Sequence, residues 1–596
     1  MKSTINLLLG CLLLPTLLFS QENIDSTTTS TTTFNKFFNN LTGSFESNAQ
    51  WYLNDKETGQ FEEEEHLRAN SYLKLNYYFL SNFSAGVQVE SYAPQALLNY
   101  DKELDREVGL AQYYINYRTN KVDATAGYFY EQFGSGLILR AWEDRALGLN
   151  NSIRGGRVKY TPFNFLEVTG LYGNQRRGFD VSNSDIMAFN AELNIGELID
   201  SKFFDQFSMG LSYVNRKEDF ESTSLDINKV AIPESVGAYS ARLGLSFKDI
   251  YTNIEYITKE KDVRLNNIRP DKVSFSENKL FDGNALLFNL GYSAKGFGLN
   301  YTFRRLENMS FHSQREDRNL INNPTNRATL NYLPALTKQH DYTLANIYIY
   351  QAQPGLYVEN YETPRVKAGE IGNQIDVFYK IKKGSLLGGK YGTKISANLA
   401  YWAALNVDVT DQDGMPYFSS DNLTYESDFL NFKNKIYSEF NLEINKKWTK
   451  NFSSIFTLID LHYNSDYLVE ANGAKVDAWI GIAEGTYKFG NGKSVRLEAQ
   501  HLSTNDDARN WVGGTVEYFL NSKLGVYFND SYNYEDSPFI ENSKIHFFNM
   551  GGSFTKGATR VSLNYGRQRG GLICVGGVCR PVSKNTGVTL NLATSF

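Results

Sequence analysis

Apolar and polar residues alternate along most of this chain. In the stretch SYLKLNYYFL, Leu73, Leu75, Tyr77 and Phe79 fall on one face, and the residues between them fall on the other. This period-two pattern predicts β-strands with one apolar and one polar face. Many such segments reach about ten residues, the length that crosses a bilayer at a tilt, whereas strands of soluble proteins are nearer to five or six. The pattern therefore favours membrane-spanning strands.

Further segments repeat the alternation. In IYSEFNLEIN, Ile436 and Phe440 are assigned to the same apolar face. The opposite faces of these strands, taken to point inward, carry charges suited to a water-filled lumen: Lys74, Arg242, Asp376, Lys380, Glu439, Glu443, Arg496 and Glu498.

The connections between segments alternate between short and long. The short ones centre on turn residues such as Ser81-Asn82, Lys248-Asp249 and Lys556-Gly557. The long ones span residues 54–67, 93–106, 133–153, 217–235, 261–283, 308–371 and 406–433. Tight turns on one rim and large loops on the other are typical of outer-membrane barrels. We therefore predict an all-β fold, a transmembrane antiparallel up-and-down barrel of about 24 strands (range about 18–26), with short periplasmic turns and long extracellular loops. The count stays open by several strands, because residues 308–371 could contain a hairpin.

The chain ends on the alternating stretch GVTLNLATSF. Leu590, Leu592 and Phe596 share one face of this strand, and we interpret them as a barrel-assembly signal. A terminal strand ending in an aromatic residue would pair with the first strand and close the barrel, which removes edges that lipid could not satisfy.

The N-terminus has the pattern of a secretory signal peptide. Lys2 precedes an apolar run from Leu7 to Phe19, and Ser20 is a small residue at the expected cleavage site. The alternative is a lipoprotein box, LLGC, ending at Cys11, but its apolar stretch is very short. We predict a signal peptide at residues 1–20, a periplasmic tether at 21–40 and an outer-membrane barrel at 41–596, with export to the bacterial outer membrane.

Composition agrees with this class of protein. The chain has 39 Tyr and 40 Phe, and its formal net charge is -6. Without a basic surplus, nucleic acid is not an expected partner. The expected partners are outer-membrane lipid, lipopolysaccharide and the barrel-assembly machinery, and a surface or periplasmic protein partner stays unidentified.

Two stretches carry a resemblance to a known family: FGSGLILRAWEDRALGLNNSIRGGRVKY at 133–160 and GGLICVGGVCRPV at 570–582. The chain resembles an uncharacterised, porin-like outer-membrane β-barrel family of Bacteroidota, a domain of unknown function. The resemblance implies compartment and architecture and no particular chemistry.

Cys574 and Cys579 flank Val-Gly-Gly-Val. If the two glycines form a tight turn, the cysteines lie opposite each other on adjacent strands, at a spacing that a disulfide accepts. The predicted compartment is oxidising. We predict a disulfide rather than free thiols or zinc, because the local stretch offers no histidine as a further ligand.

The stretch at 133–160 is the densest in charge. Its constriction candidates are Arg140, Glu143, Asp144, Arg145, Arg154 and Arg157. Arg140 and Asp144 are four residues apart, a spacing that suits a short helix. Two interpretations stay open: an inward-folded constriction that selects solutes by charge, and a structural plug in which the carboxylates neutralise the arginines.

Catalytic patterns are weak. The local candidates are SFHSQ, around His312, and HLSTNDD, beginning at His501, and neither matches a nucleophile motif. We predict no enzyme, no cofactor and no metal site, and keep an outer-membrane hydrolase as the least favoured reading. The leading prediction is a porin-like channel or solute transporter with inward-folded loops. The alternative is a structural or assembly barrel whose lumen is filled by 133–153 and 308–371 and whose large loops bind a partner.

Overall fold

The computed structural model describes residues 40–100, 104, 107–200, 206–219, 232–263, 280–315, 328–355, 357–359, 365–405, 407–410, 424–464, 475–536, 544–575 and 578–596. The predicted signal peptide and nearly all of the predicted tether lie outside the described residues. No helix in the described part of the chain is long and apolar enough to cross a membrane.

The fold is a closed antiparallel β-barrel of 24 strands, as the alternation and the sorted loops predicted. The first twelve strands are β1 (Leu41–Leu53), β2 (Leu67–Phe79), β3 (Phe83–Ser91), β4 (Val108–Arg118), β5 (Val122–Phe129), β6 (Ile153–Phe163), β7 (Leu166–Arg177), β8 (Asp185–Asn194), β9 (Gln206–Lys217), β10 (Ser235–Phe247), β11 (Ile250–Val263) and β12 (Leu280–Ala294). The second twelve are β13 (Phe297–Glu307), β14 (Gly369–Ile381), β15 (Thr393–Ala404), β16 (Asn434–Lys447), β17 (Phe452–Asn464), β18 (Lys475–Gly490), β19 (Lys493–Thr504), β20 (Trp511–Phe519), β21 (Leu524–Asn533), β22 (His546–Lys556), β23 (Thr559–Gln568) and β24 (Asn585–Ser595).

Short elements accompany the barrel. A four-residue helix, Ile195–Leu198, and a 3-10 turn, Leu344–Asn346, are the helical segments in the described ranges. The strands outside the barrel wall are Gln132–Phe133, Leu139–Arg140, Glu143–Asp144, Leu149–Asn150, Asp180–Val181, Tyr357–Glu359, Arg365–Lys367, Val407–Thr410, Thr424–Ser427, Gly571–Val575 and Val578–Val582. The long connection after β13 therefore does contain a hairpin, Tyr357–Glu359 with Arg365–Lys367, but it lies outside the barrel wall.

The last strand closes the barrel against the first. Strand β24 pairs with β1 from Ser595 opposite Ser44 to Thr586 opposite Leu53. The Phe596 carbonyl accepts a hydrogen bond from the Gly43 amide at 2.8 Å, and the Phe596 amide donates to the Gly43 carbonyl at 2.9 Å. The seam has no free edge along these strands, so every strand of the described wall has two neighbours.

The two rims differ as expected. At the short-turn rim, nine of the connections between described strands have two to four residues, and the two others span 195–205 and 382–392. The connections at the long-loop rim have six to 61 residues. Two of the long connections turn into the barrel; we call residues 130–152 inner loop A and residues 308–368 inner loop B.

The outward face of the wall is an apolar band. Its members include Val158, Leu211, Phe456, Leu497, Val516 and Leu563, each between 46% and 59% exposed. One apolar position departs from the predicted face. A bulge sets Trp402 opposite Tyr437 and Ala403 opposite Lys435, so that Ile436 falls between them and is buried with the inner cluster rather than exposed like Phe440.

Candidate functional site: a lumen filled from one end

Inner loop A is a folded strap rather than the short helix predicted from the spacing of Arg140 and Asp144. Gln132–Phe133 pairs with Leu139–Arg140, and Glu143–Asp144 pairs with Leu149–Asn150. Gly134 and Gly136 have positive φ values of 54° and 92°, which let the chain fold back where other residues would be strained. Because Leu139–Arg140 and Glu143–Asp144 are extended and paired with other segments, residues 140 to 144 form no helical turn, and the helix prediction was wrong.

The tip of inner loop A descends into the barrel. The Ser135 amide donates to Glu255 Oε2 at 3.1 Å, and a Cβ at Gly134 would overlap the Arg242 side chain. Glu255 and Arg242 lie opposite each other on β11 and β10, near the middle of the strands. Loop A therefore reaches halfway down the lumen.

Inner loop B lies against inner loop A. The Arg140 amide donates to the Leu330 carbonyl at 2.8 Å, and the Tyr332 amide donates to the Gly136 carbonyl at 2.9 Å. The Arg140 guanidinium stacks on the Tyr332 ring, 3.8 Å from its centre. These contacts join two segments that are about 190 residues apart (330 minus 140) into one body.

Two apolar clusters fix this body to the wall. In the first, Phe133, Ile138 and Leu139 of loop A and Phe311 and Leu330 of loop B pack on inward residues of β6 to β13. The inward residues of that cluster are Ile153, Leu171, Ile186, Ala188, Val214, Val236, Ala238, Ile257, Ala285 and Leu306.

In the second cluster, Leu344, Tyr348 and Tyr350 of loop B pack on inward residues of β15 to β20, including Trp402 and Ile480. Burial of this many apolar groups makes the contact with the wall resemble a protein core. The upper lumen, on the long-loop side, is thus filled along this part of the wall.

Buried ion pairs of the wall also hold loop B in place. Arg304 of β13 lies 2.6 Å from Glu370 of β14, and Arg304 Nη1 donates to the Pro334 carbonyl of loop B at 2.6 Å. Glu370 also accepts hydrogen bonds from the Tyr350 hydroxyl and from the Gln353 amide. One buried pair therefore holds loop B at two points.

A second buried group ties the start of loop B to the wall. Arg315 binds Glu218 at 3.0 Å and Asp262 at 2.9 Å, and Arg216 binds the same two carboxylates at 3.1 and 3.0 Å. All four side chains are at most 5% exposed, so the group is a buried network that includes two cations and two anions.

Deeper in the lumen, loop B adds polar contacts with the wall to the apolar packing of Leu344. His340 Nε2 lies 3.0 Å from Glu439, and Lys338 lies 3.5 Å from Glu443, both on β16. The Leu344 amide donates to Gln500 of β19 at 2.9 Å.

At the long-loop end, loop B meets the outer loops. The Tyr348 hydroxyl donates to Asp507 at 3.0 Å, and burial raises the pKa of Tyr348 well above its ordinary value. Arg569 donates to the Asn346 carbonyl at 3.3 Å, and burial lowers the pKa of its guanidinium.

The predicted constriction residues take different positions. Arg145 binds Glu46 of β1 at 2.7 Å and Glu143 at 3.2 Å. Asp144 accepts the Leu147 amide at 2.9 Å and so caps a turn. Arg140 also lies over Trp142, 5.0 Å from the ring centre.

The two downstream arginines point to opposite sides of β6. Arg157 faces inward and binds Asp123 at 2.7 Å and Glu131 at 3.1 Å. Arg154 shares the outward face with Val158 and Tyr160 and is exposed. The period-two geometry of the strand therefore leaves Arg154 out of the lumen.

Below the filled zone the inward wall is polar and partly exposed. Arg496 of β19 is held among Glu484, Glu498 and Glu517, at 2.9 Å from Glu484 and 3.2 Å from Glu517. Hydroxyl and amide groups continue around the wall, as in the contacts of Asn529 with Thr515 at 2.8 Å. We call this lower, polar part of the lumen the vestibule.

The remaining predicted sites are the cysteine pair, in the hairpin between β23 and β24, and the assembly-signal residues, on and after β24. Cys574 is opposite Cys579 in the backbone register of the hairpin above β23, and their side chains lie outside the described set. Leu590 is 44% exposed on the outward face, with Leu592 on the same side, and Phe596 is 41% exposed.

Clusters of side chains that could act in catalysis or bind a metal are few in the described part of the chain. It holds no group of three or more metal-ligating side chains. His501 Nε2 lies 3.0 Å from the Tyr534 hydroxyl, and His312 is buried at the start of loop B.

The sequence analysis predicted charged side chains on the inward face of the wall, but not the apolar side chains on the same face near the long-loop rim. The signal was present: the upper ends of β6 to β13 are apolar on the inward face as well, as at Val214, Ile257 and Leu306. Inward apolar positions in a barrel need a cover, and only a folded-in loop can supply it.

The fold and the lumen define the class: a large closed β-barrel whose lumen is occupied by its own loops. The chain belongs to a family of unknown function, DUF6029, whose model matches residues 2–596. No curated protein sequence matches the chain.

Among solved structures, it is similar to the siderophore receptor PirA from Pseudomonas aeruginosa (10% identity, 93% of this chain and 80% of that chain, TM-score 0.38). It is also similar to the copper transporter OprC (8%, 93% and 80%, TM-score 0.39) and to a BenF-like porin from Pseudomonas fluorescens (9%, 93% and 97%, TM-score 0.33). At these values the likeness carries no argument about what this chain binds or moves.

Proposed function

We propose that this protein is an outer-membrane channel or transporter whose lumen is closed, in the state described, by inner loops A and B. The observation that carries the proposal is the division of the lumen into two zones. The upper zone is filled by apolar packing along β6 to β13 and β15 to β20, while the vestibule below it is polar and partly exposed. A polar lumen suits the passage of a hydrated solute once the loops move.

Membrane insertion is supported by the outer surface. Exposed apolar side chains encircle the wall, and a soluble protein rarely exposes a patch of this extent. Barrel closure satisfies the backbone hydrogen bonds that lipid cannot. In the expected orientation, the short-turn rim faces the periplasm and the long-loop rim faces outward. Resistance of the protein to carbonate extraction, together with heat-modifiable migration on a gel, tests this placement.

Solute passage requires loop B to leave part of the wall. Buried ion pairs fix it at Arg304 and Arg315, and its deep portion is held by the contact of His340 with Glu439 and by apolar packing on the second cluster. We infer that the deep portion, between residues 335 and 347, is the part that moves, because it contacts the wall next to the vestibule, at Glu439, Glu443 and Gln500.

The second candidate function is a permanently occluded scaffold. The two apolar clusters favour it, since they would cost much free energy to separate. In that case the large outer loops, and not the lumen, would carry the function through a protein partner.

Single-channel conductance separates these two functions. Residues 335–347 are replaced by a Gly/Ser linker of the same length, and the matched control replaces residues 411–423, in an outer connection, in the same way. We expect low conductance in the unmodified protein and the control, and larger, longer openings in the loop B variant. If the loop B variant is a folded, heat-modifiable barrel and its conductance does not rise, the scaffold function is favoured.

A reversible lock gives an independent check. Cysteines at His340 and Glu439 would join loop B to β16, since these side chains are in contact. The lock should abolish openings until reductant is added, and each single cysteine variant is the control.

A further inference from the structure

We propose that the mouth of the vestibule is an anion-collecting ring, so that the solutes admitted from the short-turn side are small anions bearing phosphate, sulfate or carboxylate groups. This inference names a substrate class for the proposed channel and so rests on that function. The argument starts from the charges at the short-turn rim.

One half of this rim is basic and contains no acid. The six connections from β12–β13 to β22–β23, with the adjoining strand ends, are residues 293–298, 379–394, 445–453, 487–495, 519–526 and 555–560. They hold one, five, three, two, one and two Lys or Arg residues, fourteen in all, and no Asp or Glu. This concentration occurs in a chain whose formal net charge is -6.

The other half of the rim is balanced. Its described connections carry Arg118, Lys121 and Lys248 together with Glu197, Asp200 and Asp249. The inward charges just above them are paired: Lys159 lies 3.4 Å from Glu167, and Arg118 lies 3.8 Å from Asp123. The positive field is therefore confined to the arc from β13 to β23.

Part of the basic arc points into the vestibule. Lys380 lies opposite Lys394 in the β14–β15 ladder, on the face that also carries Asp376 and Asn398. Lys447 shares its face of β16 with Glu443, whose contact with Lys338 of loop B fixes that face as inward.

Two further cations continue the ring. Lys488 shares its face of β18 with Glu484, which binds the inward Arg496. Arg560 lies opposite the inward Ala593. All five cations of the ring, Lys380, Lys394, Lys447, Lys488 and Arg560, are exposed, and none has an ion-pair partner within 4.0 Å among the described residues.

The carboxylates one step deeper offset part of this charge but not all of it. Glu443 pairs with Lys338, whereas Arg496 is shared by Glu484, Glu498 and Glu517, a group with two more negative than positive charges against the five cations of the ring. Asp376 accepts hydrogen bonds from Asn398 at 2.6 Å and Gln374 at 3.2 Å. Unpaired cations at the rim of a cavity with low-dielectric walls focus the field and raise the local concentration of anions.

Aromatic rings hold two of the lysines at the mouth. The Lys394 ammonium lies 5.8 Å from the centre of the Phe378 ring, and the Lys447 ammonium lies 5.2 Å from that of Tyr391. A ring face attracts an ammonium group without neutralising it, so the positive charge stays available to a solute.

Reaction rates of a cysteine in the vestibule test the proposal without requiring an open channel. Ser396 is inward and one step deeper than Lys394, opposite Phe378 and Glu443. Ser396→Cys is treated with an anionic and a cationic methanethiosulfonate reagent of similar size, and the protein with native Ser396 gives the background. We expect the anionic reagent to react faster at low salt, and the preference to shrink as salt rises.

The matched variants remove three charges each from the same rim. The inward triple is Lys394→Gln, Lys447→Gln and Lys488→Gln. The outward triple is Lys446→Gln, Lys493→Gln and Lys556→Gln, whose side chains alternate to the outer face. The inward triple should lower the anion-to-cation rate ratio by about tenfold or more, and the outward triple should change it by less than about twofold.

Equal effects of the two triples, or a cationic reagent that reacts as fast as the anionic one at low salt, would overturn the proposal. Heat-modifiable migration shows whether each variant is folded. The result is separable from the channel test: if conductance fails to rise in the loop B variant but the rate ratios behave as expected, the ring collects anions and the channel function fails.

Discussion

At the scale of single residues, inner loop B is held by hydrogen bonds to a buried ion pair of the wall. Arg304 and Glu370 are 1% and 0% exposed, and the pair also binds Tyr350, Gln353 and Pro334. Removing one partner of such a pair is costly, because it leaves an uncompensated charge without water. Replacing both partners by apolar residues costs far less.

We expect Arg304→Ala to lower the free energy of unfolding by about 3–5 kcal/mol, since Glu370 is left buried and unpaired. The double variant Arg304→Met/Glu370→Met should recover much of this loss. The control is Lys544→Ala, in an exposed pair with Asp536, for which little or no loss is expected. Denaturant unfolding in detergent measures all three, and equal losses at both pairs would contradict the role given to burial.

Asp55 gives a pH-dependent contact at the long-loop rim. It binds Arg567 at 2.8 Å and accepts hydrogen bonds from Thr586 and from the Glu57 amide. Burial would raise the pKa of this carboxyl, but the hydrogen bonds from Glu57 and Arg567 outweigh burial and hold the pKa below its ordinary value of 3.8. A lowered folded-state pKa means that the stabilisation is complete above the ordinary value and is lost as the pH falls through the folded-state value.

We therefore expect the protein to melt at a higher temperature than Asp55→Asn at neutral pH, with a constant gap down to about pH 4. Below that pH the gap should close. Melting temperatures of both proteins across this range provide the measurement, and Asp536→Asn, at an exposed carboxyl, is the control. A gap that persists in strong acid would show that the Asp55 charge is not its cause.

At the scale of elements, the strands and the identity of the two inward-folded loops were predictable, and the contacts of those loops were not. Period-two alternation depends only on neighbours in sequence. Strands such as Leu67–Phe79 and Asn585–Ser595 can therefore be predicted without knowing which strands they pair with. The same holds for the turns, whose residues prescribe their own geometry.

The positions of the inner loops in the lumen depend instead on contacts with residues that are far away in the sequence. The bond from the Arg140 amide to the Leu330 carbonyl joins backbone groups whose positions no local pattern reveals. The charged residues of loop A were found because they are dense, but their roles were not. Arg145 neutralises Glu46 of the first strand, Arg140 stacks on Tyr332, and Arg154 faces outward. Neither the constriction nor the plug interpretation therefore describes all six residues.

The hairpin above β23 supplies a prediction at this scale. Its backbone register sets Cys574 opposite Cys579. We expect the pair to be oxidised in protein exported to an oxidising compartment, so that alkylation modifies neither thiol before reduction and both afterwards. Mass spectrometry with and without reductant counts the modified thiols, and Cys574→Ser, which must leave one free thiol, is the control. Two thiols alkylated without reductant would disprove the disulfide.

At the scale of the whole molecule, the barrel is asymmetric along its axis. The long-loop half is filled and held by apolar packing, and the short-turn half is polar, with cations gathered on one arc. Either half alone would be ordinary for a barrel of this size. In combination, the filled half separates the polar vestibule from the long-loop side of the barrel. A gated passage therefore agrees with the geometry better than a permanently open pore.

The seam that closes the barrel extends to Phe596. The two backbone hydrogen bonds between Phe596 and Gly43 extend the β24–β1 seam by one residue, and the Phe596 ring lies against Gly43, where a Cβ would overlap it. Deleting Phe596 removes about 1 kcal/mol for each bond and the packing of the ring.

We expect the amount of heat-modifiable barrel in the outer-membrane fraction to fall clearly when Phe596 is deleted. Phe596→Ala separates the causes, because it keeps the backbone bonds and removes the ring, and Phe596→Tyr keeps both. If assembly depends on the aromatic end, levels should follow the order unmodified, Tyr, Ala, deletion. Normal levels of the deleted form would show that the seam closes without its terminal residue and that Phe596 is not an assembly signal.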